Sequence, residues 1–221
     1  MKKYLLISFF TFLSFLLYAQ ERNDFEDYLS QFKEMQLPFE MSIDSVSSFF
    51  PNPTGYKSIP INYVHSFICE PGKACDDDLM KYEYQAGIQL KLGRYIAVIT
   101  SKDCDDCGSK YGRGIGYYLL TIHTLDGKWV SQDTIAQGSD QHFYFGTFTK
   151  GNTPHSFLSL SMKQGTMYDY LDKENSIFEG IMDYYTYTIN EEGIIRKEKN
   201  KSTNIRISWG LEGVKILKEW K

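Results

Sequence analysis

The pattern that most restricts the fold of this chain is the alternation of apolar and polar residues, with a period of two, beyond Pro38. Ile205, Ile207 and Trp209, for example, are each separated by one polar residue. Further runs of strand length, rich in Tyr, Phe, Thr and Leu, occupy residues 116–124, 141–149, 156–162 and 184–189. A period of two is typical of a β-strand with one face in a core, so the sequence predicts a strand-rich protein.

Turn residues separate these runs and indicate how the strands are connected. Asp126-Gly127 follows the run 117–124, and an Asp-Gly pair supplies the positive φ angles of a tight hairpin turn. Similar breaks occur at Lys150-Gly151-Asn152, Glu192-Gly193 and Glu212-Gly213. About ten to twelve strands fit at this spacing, with no room for crossover helices, which favours an antiparallel meander.

Three all-β architectures are compatible with such a meander: a sandwich, an open barrel or a small propeller-like fold. A weak similarity between residues 117–127 and 184–193 suggests that one hairpin unit is used twice, as in the blades of a propeller. Two matches without a fixed period do not establish a repeat. The predicted fold class is therefore all-β, with the architecture open among the three.

One segment before Pro38 has a helical period instead. Apolar residues recur there at steps of three and four, and they are Phe25, Tyr28, Leu29, Phe32, Met35 and Leu37. Asn23 and Glu26 have the spacing of a capping box, and Pro38 marks the end. We expect a short amphipathic helix at about residues 23–36 that docks on the domain's own core, the alternative being a helix that binds a partner.

The first residues have the features of a secretory signal peptide. Lys2 and Lys3 precede an uncharged apolar run at residues 4–18, and Ala19 provides a small residue at the cleavage position. The run has 15 residues, fewer than the ~20 of a membrane-spanning helix, and no Cys follows it for lipid attachment. The sequence predicts that residues 1–19 are removed. Residues 20–221 would then form one soluble exported β-rich domain, periplasmic or extracellular, without stable membrane insertion.

The net charge argues against nucleic acid as a partner. The chain contains 24 Lys and Arg against 28 Asp and Glu, a net charge of -4, which becomes about -6 without the two signal-peptide lysines. A phosphate backbone is bound by dense clusters of Lys and Arg, and no basic stretch of that density appears anywhere in the sequence. We expect instead an unidentified protein or glycan of the cell envelope.

Four cysteines lie in the two least regular parts of the chain, residues 50–82 and 101–114, which we interpret as long loops. They are Cys69, Cys75, Cys104 and Cys107. An even number in an exported protein favours disulfides, with three possible connectivities. Pro71-Gly72 would turn the chain back between the first two, so we favour Cys69 with Cys75, which leaves the other two to pair with each other.

Two other uses of these cysteines fit the sequence less well. The Cys104–Cys107 spacing is that of thiol–disulfide exchange motifs, but the carboxylates of Asp103, Asp105 and Asp106 would raise the pKa of a nearby thiol. A zinc site with four thiolates would need the first pair to be more closely spaced, and oxidation competes with metal binding outside the cytoplasm. The sequence thus predicts structural disulfides, no metal and no cofactor.

Acidic and aromatic side chains are the candidates for ligand binding. The clusters at residues 76–78 and 103–106 could offer carboxylate oxygens to calcium, but neither has the spacing of an EF-hand loop, and solvated acidic loops are the simpler interpretation. Tyrosine rings can stack on sugars or peptides, although tyrosines also fill β cores. The tyrosines that could share an exposed face are Tyr82, Tyr84, Tyr111, Tyr117, Tyr144, Tyr168 and Tyr170. The ligand-binding set predicted from these groups is Asp103, Asp105, Asp106, Tyr111 and Tyr144.

Recognised catalytic motifs are missing from the sequence. The four histidines do not form a His-Glu-x-x-His motif, and no Gly-x-Ser-x-Gly elbow occurs. The glycine-rich run at residues 112–116 precedes a strand rather than a helix, unlike a phosphate-binding loop. We therefore favour a non-enzymatic binding domain of the cell envelope. The alternative is a hydrolase that acts on glycan or peptide through two carboxylates, whose separation is invisible in a sequence.

Three sequence features of the chain also resemble those of one group of proteins. The Tyr18-Ala19-Gln20 end of the signal, the segment from Asp24-Phe25 to Leu37-Pro38-Phe39 and the Tyr-rich hairpins resemble small exported β-rich proteins of unknown function common in Bacteroidota. Asp44-Ser45-Val46 and Asp133-Thr134-Ile135 are similar to the three-residue O-glycosylation acceptor of those bacteria, although Thr134 also fits a plain strand residue. The resemblance implies export and supplies no catalytic residue.

Overall fold

The computed structural model describes residues 23–41, 57–73, 75, 81–104, 115–138, 142–151, 156–167, 176–210 and 213–221. Within this part of the chain, eleven strands form two sheets, which confirms the predicted all-β class. No helix among these residues is long and apolar enough to cross a membrane.

The strands, in chain order, are β1 (Lys33–Met35), β2 (Phe39–Met41), β3 (Glu83–Leu92), β4 (Tyr95–Cys104), β5 (Ile115–Thr124), β6 (Trp129–Gly138), β7 (His142–Lys150), β8 (Ser156–Met167), β9 (Ser176–Asn190), β10 (Ile195–Gly210) and β11 (Gly213–Trp220). Sheet A has the order β1-β3-β4-β5-β6, and sheet B has the order β11-β10-β9-β8-β7-β2. The described helical segments are α1 at residues 23–29 and α2 at Ile61–Tyr63, which continues directly as a π-helix at Val64–Ile68.

Strands that follow one another in the chain pair antiparallel from β3 to β6 and again from β7 to β11, as the meander prediction requires. In the β5–β6 and β9–β10 turns, Gly127 and Gly193 have φ angles of +89° and +78°, which L side chains rarely adopt. The two meanders form two sheets that share one core. Of the three architectures left open, the structure is therefore a sandwich.

The two shortest strands, β1 and β2, depart from the meander. β1 pairs in parallel with β3 at one edge of sheet A, and β2 pairs antiparallel with β7 at one edge of sheet B. Only residues 36–38 separate the two strands. One continuous stretch, residues 33–41, therefore borders both sheets, and we call it the edge segment.

The main core lies between the two sheets. Alternate residues of β4, namely Tyr95, Ala97 and Ile99, face this core from sheet A. From sheet B, Leu160 and Tyr187 are fully buried in it. Burying an aliphatic or aromatic side chain of this size contributes about 1.5–3 kcal/mol, so the facing sheets account for much of the stability.

The opposite face of sheet A is also covered. Ile96 and Val98 of β4 pack there against Phe25 and Tyr28 of α1 and against Phe67 of the π-helix. Both faces of β4 are thus buried, and its burial does not alternate. The N-terminal helix docks on the domain's own core, as the sequence predicts.

The helix α1 is shorter than the predicted helix at about residues 23–36. Its helical structure ends at Leu29, and Lys33–Met35 forms β1 instead. The side-chain amide of Gln89 in β3 donates to the carbonyl oxygens of Leu29 and Phe32, at 3.1 and 3.4 Å. Carbonyl groups at a helix C-terminus lack partners within the helix. Because sheet A supplies these partners, the chain leaves the helix and pairs with β3 rather than forming another turn.

The π-helix is attached to sheet A in the same way, within a region that we expected to be a loop. His123 Nε2 lies 2.7 Å from the carbonyl oxygen of Phe67, and the Gln132 amide donates to the carbonyl oxygen of Ile68 at 2.9 Å. Because a carbonyl group only accepts, the proton of neutral His123 is on Nε2. Its Nδ1 is buried and has no hydrogen-bond partner in the described part of the chain. Burial lowers the pKa of His123 to about 4, although the bond to Phe67 acts in the opposite direction.

A disulfide closes the loop that follows the π-helix. It joins Cys69 and Cys75, whose Cα atoms are 5.9 Å apart, and this is the pair favoured from the sequence. Cys104, at the end of β4, is also disulfide-bonded. Its predicted partner, Cys107, lies outside the described residues. No cysteine that the structure describes has a free thiol.

Candidate binding surface

Sheet B is longer than sheet A, and one end of it projects beyond the main core. In β9, Tyr187 and Ile189 face sheet A and are buried in this core. Ile181 and Ile177 lie on the same side of β9 by alternation, yet they are 36% and 57% exposed. The face of β9 that packs on sheet A at one end is therefore open to solvent at the other end.

We call this open area the overhang face. The strand register places three residues from each of β9, β10 and β11 on it, in three rows across the sheet. The rows are Ile181–Asn204–Trp220, Glu179–Arg206–Lys218 and Ile177–Ser208–Lys215. Standard strand spacings make this grid about 10 Å wide across the strands and about 13 Å long.

The overhang face combines positive charge with exposed apolar groups. Arg206 donates to the Glu179 carboxylate through Nε, at 3.1 Å, and also through Nη2. The ammonium group of Lys218 lies 5.9 Å from the centre of the Trp220 ring. Arg206, Lys215 and Lys218 against Glu179 give the face a net charge of +2.

The other side of the same strands is buried. Phe178 and Met182 of β9 form a separate apolar cluster with Ile205 and Ile207 of β10. These residues alternate with those of the overhang face. The overhang is therefore anchored by a core of its own and is not a frayed end of the sheet.

Charged and phenolic groups gather where the overhang face meets sheet A. Asp183 accepts hydrogen bonds from Ser202 at 2.5 Å and from Tyr185 at 3.3 Å, and it forms an ion pair with Lys199 at 2.8 Å. Partial burial acts to raise the pKa of Asp183, but hydrogen bonds from Lys199 and Ser202 and the Lys199 charge outweigh it and lower this pKa. Asp183 is therefore an ionised acceptor at neutral pH.

Lysines lie over the tyrosine rings of β9 on both of its sides. The Lys197 ammonium is 4.8 Å from the ring centre of Tyr185 and 5.2 Å from that of Tyr187. On the opposite side, the Lys201 ammonium is 4.1 Å from the Tyr184 ring, whose hydroxyl group donates to Glu219 at 2.7 Å. Burial, together with Glu219, raises the pKa of Tyr184 to about 12. Burial also raises the pKa values of Tyr185 and Tyr187, so these phenols remain neutral in water near pH 7.

These cations belong to a basic end of an otherwise acidic chain. Residues 195–221 contain eight Lys and Arg against three Asp and Glu, a net charge of +5. Residues 20–194 contain 14 against 25, a net charge of -11. Because no dense basic stretch was found in the sequence, this asymmetry was missed. Counting the charge separately for the C-terminal segment reveals it.

The ligand-binding set predicted from the sequence is described only in part. Asp103 lies half-buried in β4, and the Ser101 hydroxyl group donates to it at 2.6 Å. Asp105, Asp106 and Tyr111 lie outside the described residues, as do Asp76–Asp78, Tyr168 and Tyr170. Tyr144 is in β7, and only its backbone is described. This set stays a prediction.

Three of the tyrosines considered for an exposed face do lie together. The Lys102 ammonium is 4.1 Å from the Tyr82 ring centre and 5.8 Å from that of Tyr84, and the Tyr82 and Tyr117 rings are 6.2 Å apart. Tyr84 is buried, however, and the group adjoins the core beneath α1. This cluster is chiefly a packing feature.

One of the two glycosylation-like tripeptides, Asp133-Thr134-Ile135, lies within β6. Ile135 is fully buried, and the Thr134 carbonyl oxygen accepts a hydrogen bond from the Tyr187 hydroxyl group. The alternative interpretation of Thr134 as a strand residue is therefore the better supported. Asp44-Ser45-Val46 lies outside the described residues.

Neither a metal centre nor a relative provides a guide to function. In the described ranges, no group of three or more His, Cys, Asp or Glu side chains could hold a metal ion. No protein-family model matches this chain, and comparisons with curated proteins and with solved structures find no match.

Proposed function

We propose that this protein is an exported, non-enzymatic binding domain that holds an anionic partner in the cell envelope through its C-terminal strands. The observation that carries the proposal is the separation of charge, +5 in residues 195–221 and -11 in residues 20–194. The signal-like residues 1–19 and the disulfide between Cys69 and Cys75 support export, because disulfides persist in oxidising compartments.

The cations are displayed where a partner could reach them. Lys199 and Lys201 have about half of their side chains exposed, and Lys215 and Lys218 are exposed on the edge strand β11. An anionic partner would be attracted to this end of the domain and repelled by the acidic remainder. Such an arrangement fixes the orientation of approach and raises the rate of association.

A carboxylate-dependent hydrolase is less well supported. A general acid needs a carboxyl group with a pKa raised by burial or by a like charge. Asp126 and Asp183 have shifted pKa values, and both values are lowered. The tyrosine pKa values next to Asp183 shift further from neutrality, which is the opposite of what proton transfer at neutral pH requires.

Binding of a soluble polyanion, poly-L-glutamate, to residues 20–221 tests the proposal. Replacing Lys201, Lys215 and Lys218 with Gln should weaken binding at least about tenfold, since each cation near a polyanion contributes on the order of 1 kcal/mol. Added salt should weaken the wild-type complex, because ions screen exposed charges.

The matched control replaces three exposed lysines on or beside sheet A, namely Lys33, Lys57 and Lys81, with Gln. The net charge changes equally in both variants, so the control should bind within about twofold of wild type. Equal losses in the two variants, or no binding by the wild type at low salt, would contradict the proposal.

A further inference from the structure

We infer that the anionic partner is a lipid surface, and that the overhang face lies against it with its lysines at the headgroups and its isoleucines at the acyl boundary. The inference rests on the proposed function and names the partner that the C-terminal strands would bind. It is carried by the coincidence of charge and exposed apolar groups on one face of three neighbouring strands.

The exposed apolar side chains are concentrated beside the cations. In the described part of the chain, the large aliphatic residues that are exposed are Ile61, Leu125, Ile177, Ile181, Ile194, Ile216 and Leu217. Ile177 and Ile181 belong to the overhang face itself. Ile216 and Leu217 lie in the adjacent strand β11, with Ile216 on the other side of the sheet and Leu217 at the register shift. Scattered apolar residues are normal on a protein surface, whereas a local concentration marks an interaction site.

The arrangement of the grid matches an anionic membrane interface. Lys215 and Lys218 are neighbours of Ser208 and Arg206 in the register, and the rows that contain Ile177 and Ile181 border the charged row. Lysine side chains can bury their methylene stems and keep the ammonium group in the polar layer. Trp220 completes the set, because indole rings favour the headgroup region of a bilayer. A surface of this composition binds by apolar burial together with attraction to anionic lipids.

Addition of a peptide strand to β11 fits the structure less well. β11 is the outermost strand of sheet B, and Leu217 is an extra residue where the register with β10 shifts. A bulge of this kind interrupts the regular hydrogen-bonding edge that an added strand requires. Lys215 and Lys218 further discourage pairing along an edge. A lipid surface needs no backbone complementarity and contacts the side chains alone.

Vesicle co-sedimentation of residues 20–221 tests the inference without the apolar signal segment, which would itself bind lipid. The protein should bind vesicles that contain phosphatidylglycerol at least about tenfold more strongly than vesicles of phosphatidylcholine alone. Lys215→Gln with Lys218→Gln should reduce this partitioning about 25-fold, from a contribution of about fivefold per cation. Lys33→Gln with Lys81→Gln is the control of equal charge and should change it less than twofold.

The apolar contribution separates a lipid surface from any other polyanion. Ile177→Ser with Ile181→Ser should lower vesicle partitioning about tenfold or more and leave binding of poly-L-glutamate unchanged. Ile61→Ser with Leu125→Ser removes two exposed aliphatic residues elsewhere. This variant should leave both vesicle partitioning and binding of poly-L-glutamate unchanged. Circular dichroism and the Tm of each variant show whether its fold is retained.

A spectroscopic signal reports on the bound face directly. Vesicles with brominated lipid chains should quench part of the tryptophan fluorescence of the wild type, and Trp220→Phe should remove most of that quenching. If the isoleucine variant binds vesicles like wild type, or if Trp220 is not quenched, the lipid inference is wrong while binding of poly-L-glutamate still supports the broader proposal. If poly-L-glutamate or heparin is bound more tightly than phosphatidylglycerol vesicles, the partner is an acidic polymer. If none of the anionic probes binds, both proposals fail.

Discussion

Acidification should weaken the attachment of the π-helix to sheet A through one residue, His123. Its ring is buried, and its Nε2–H donates a hydrogen bond to the carbonyl group of Phe67. Its Nδ1 has no hydrogen-bond partner among the described residues. A second proton would place a charge on Nδ1 beside Phe25 and Tyr28, whose ring centres lie 5.3 and 6.0 Å from that of His123. The folded protein therefore resists protonation at this site.

The magnitude follows from the difference in proton affinity between the folded and unfolded chains. The pKa of His123 is about 4 in the fold and 6.5 when exposed. Between these pH values the unfolded chain binds a proton and the folded chain does not, so the free energy of unfolding falls as the pH falls. At about 1.4 kcal/mol for each pKa unit, the loss between pH 6.5 and about 4 reaches about 3 kcal/mol. Above pH 6.5 this contribution to stability is fully present.

Two carboxylates that the structure describes act mainly below this window. The pKa values of Asp126 and Asp183 are lowered in the fold, so most of the stability that they contribute is lost as the pH falls from about 4 towards these folded pKa values. Urea unfolding between about pH 7 and about pH 4.5 should therefore report chiefly on histidine. His123→Gln keeps an amide donor for Phe67 and cannot titrate, so its stability should be nearly constant over this range. His65→Gln changes an exposed histidine and should retain the wild-type dependence. The same pH dependence in wild type and His123→Gln would refute the reasoning.

Two further predictions concern the close approach of strands and the disulfide. A methyl group at Gly146 would overlap the Ser161 carbonyl oxygen and lie 2.5 Å from Met162 Sδ, so Gly146→Ala should push β7 from β8 and cost about 1–3 kcal/mol in urea unfolding. Thr147→Ala, beside it in β7, should cost less than about 1 kcal/mol, and a similar loss in both variants would count against the steric explanation. Replacing Cys69 and Cys75 together with Ser should lower the free energy of unfolding by about 2 kcal/mol, since the closed loop is short. Thiol labelling of the unfolded, unreduced wild type should modify no cysteine, and a labelled Cys69 would contradict the pairing.

The strands were predictable because their signals are local. Alternation around Ile205 and Ile207 and turn glycines at positions 127 and 193 act within a few residues, and the structure has strands and positive φ angles there. The end of the first helix could not be predicted, because Met35 and Leu37 fit a helical period and also the period of a strand. Their contact with the main core decides between the two, and that core is built from residues distant in the sequence.

The overhang face could not be predicted from the alternation of apolar and polar residues. In the segment that contains Ile177, Phe178, Ile181 and Met182, both faces of the strand are apolar, so alternation cannot show which face is covered. The answer depends on where sheet A ends, which is a property of the assembled sandwich. The π-helix could not be predicted for another reason. Val64, Phe67 and Ile68 have helical spacing, but the stretch is too short and too close to turn residues for this spacing to indicate a helix.

The edge segment has a consequence for the order in which the fold can be completed. Residues 33–41 are made early, but β1 must wait for β3 and β2 must wait for His142–Lys150. Neighbouring strands of each meander can pair as soon as they emerge, since they are close in sequence. The joint between the two sheets along this border can form only once roughly two thirds of the polypeptide exists. A chain interrupted before β7 would therefore leave β2 without its partner strand, although β1 could already pair with β3.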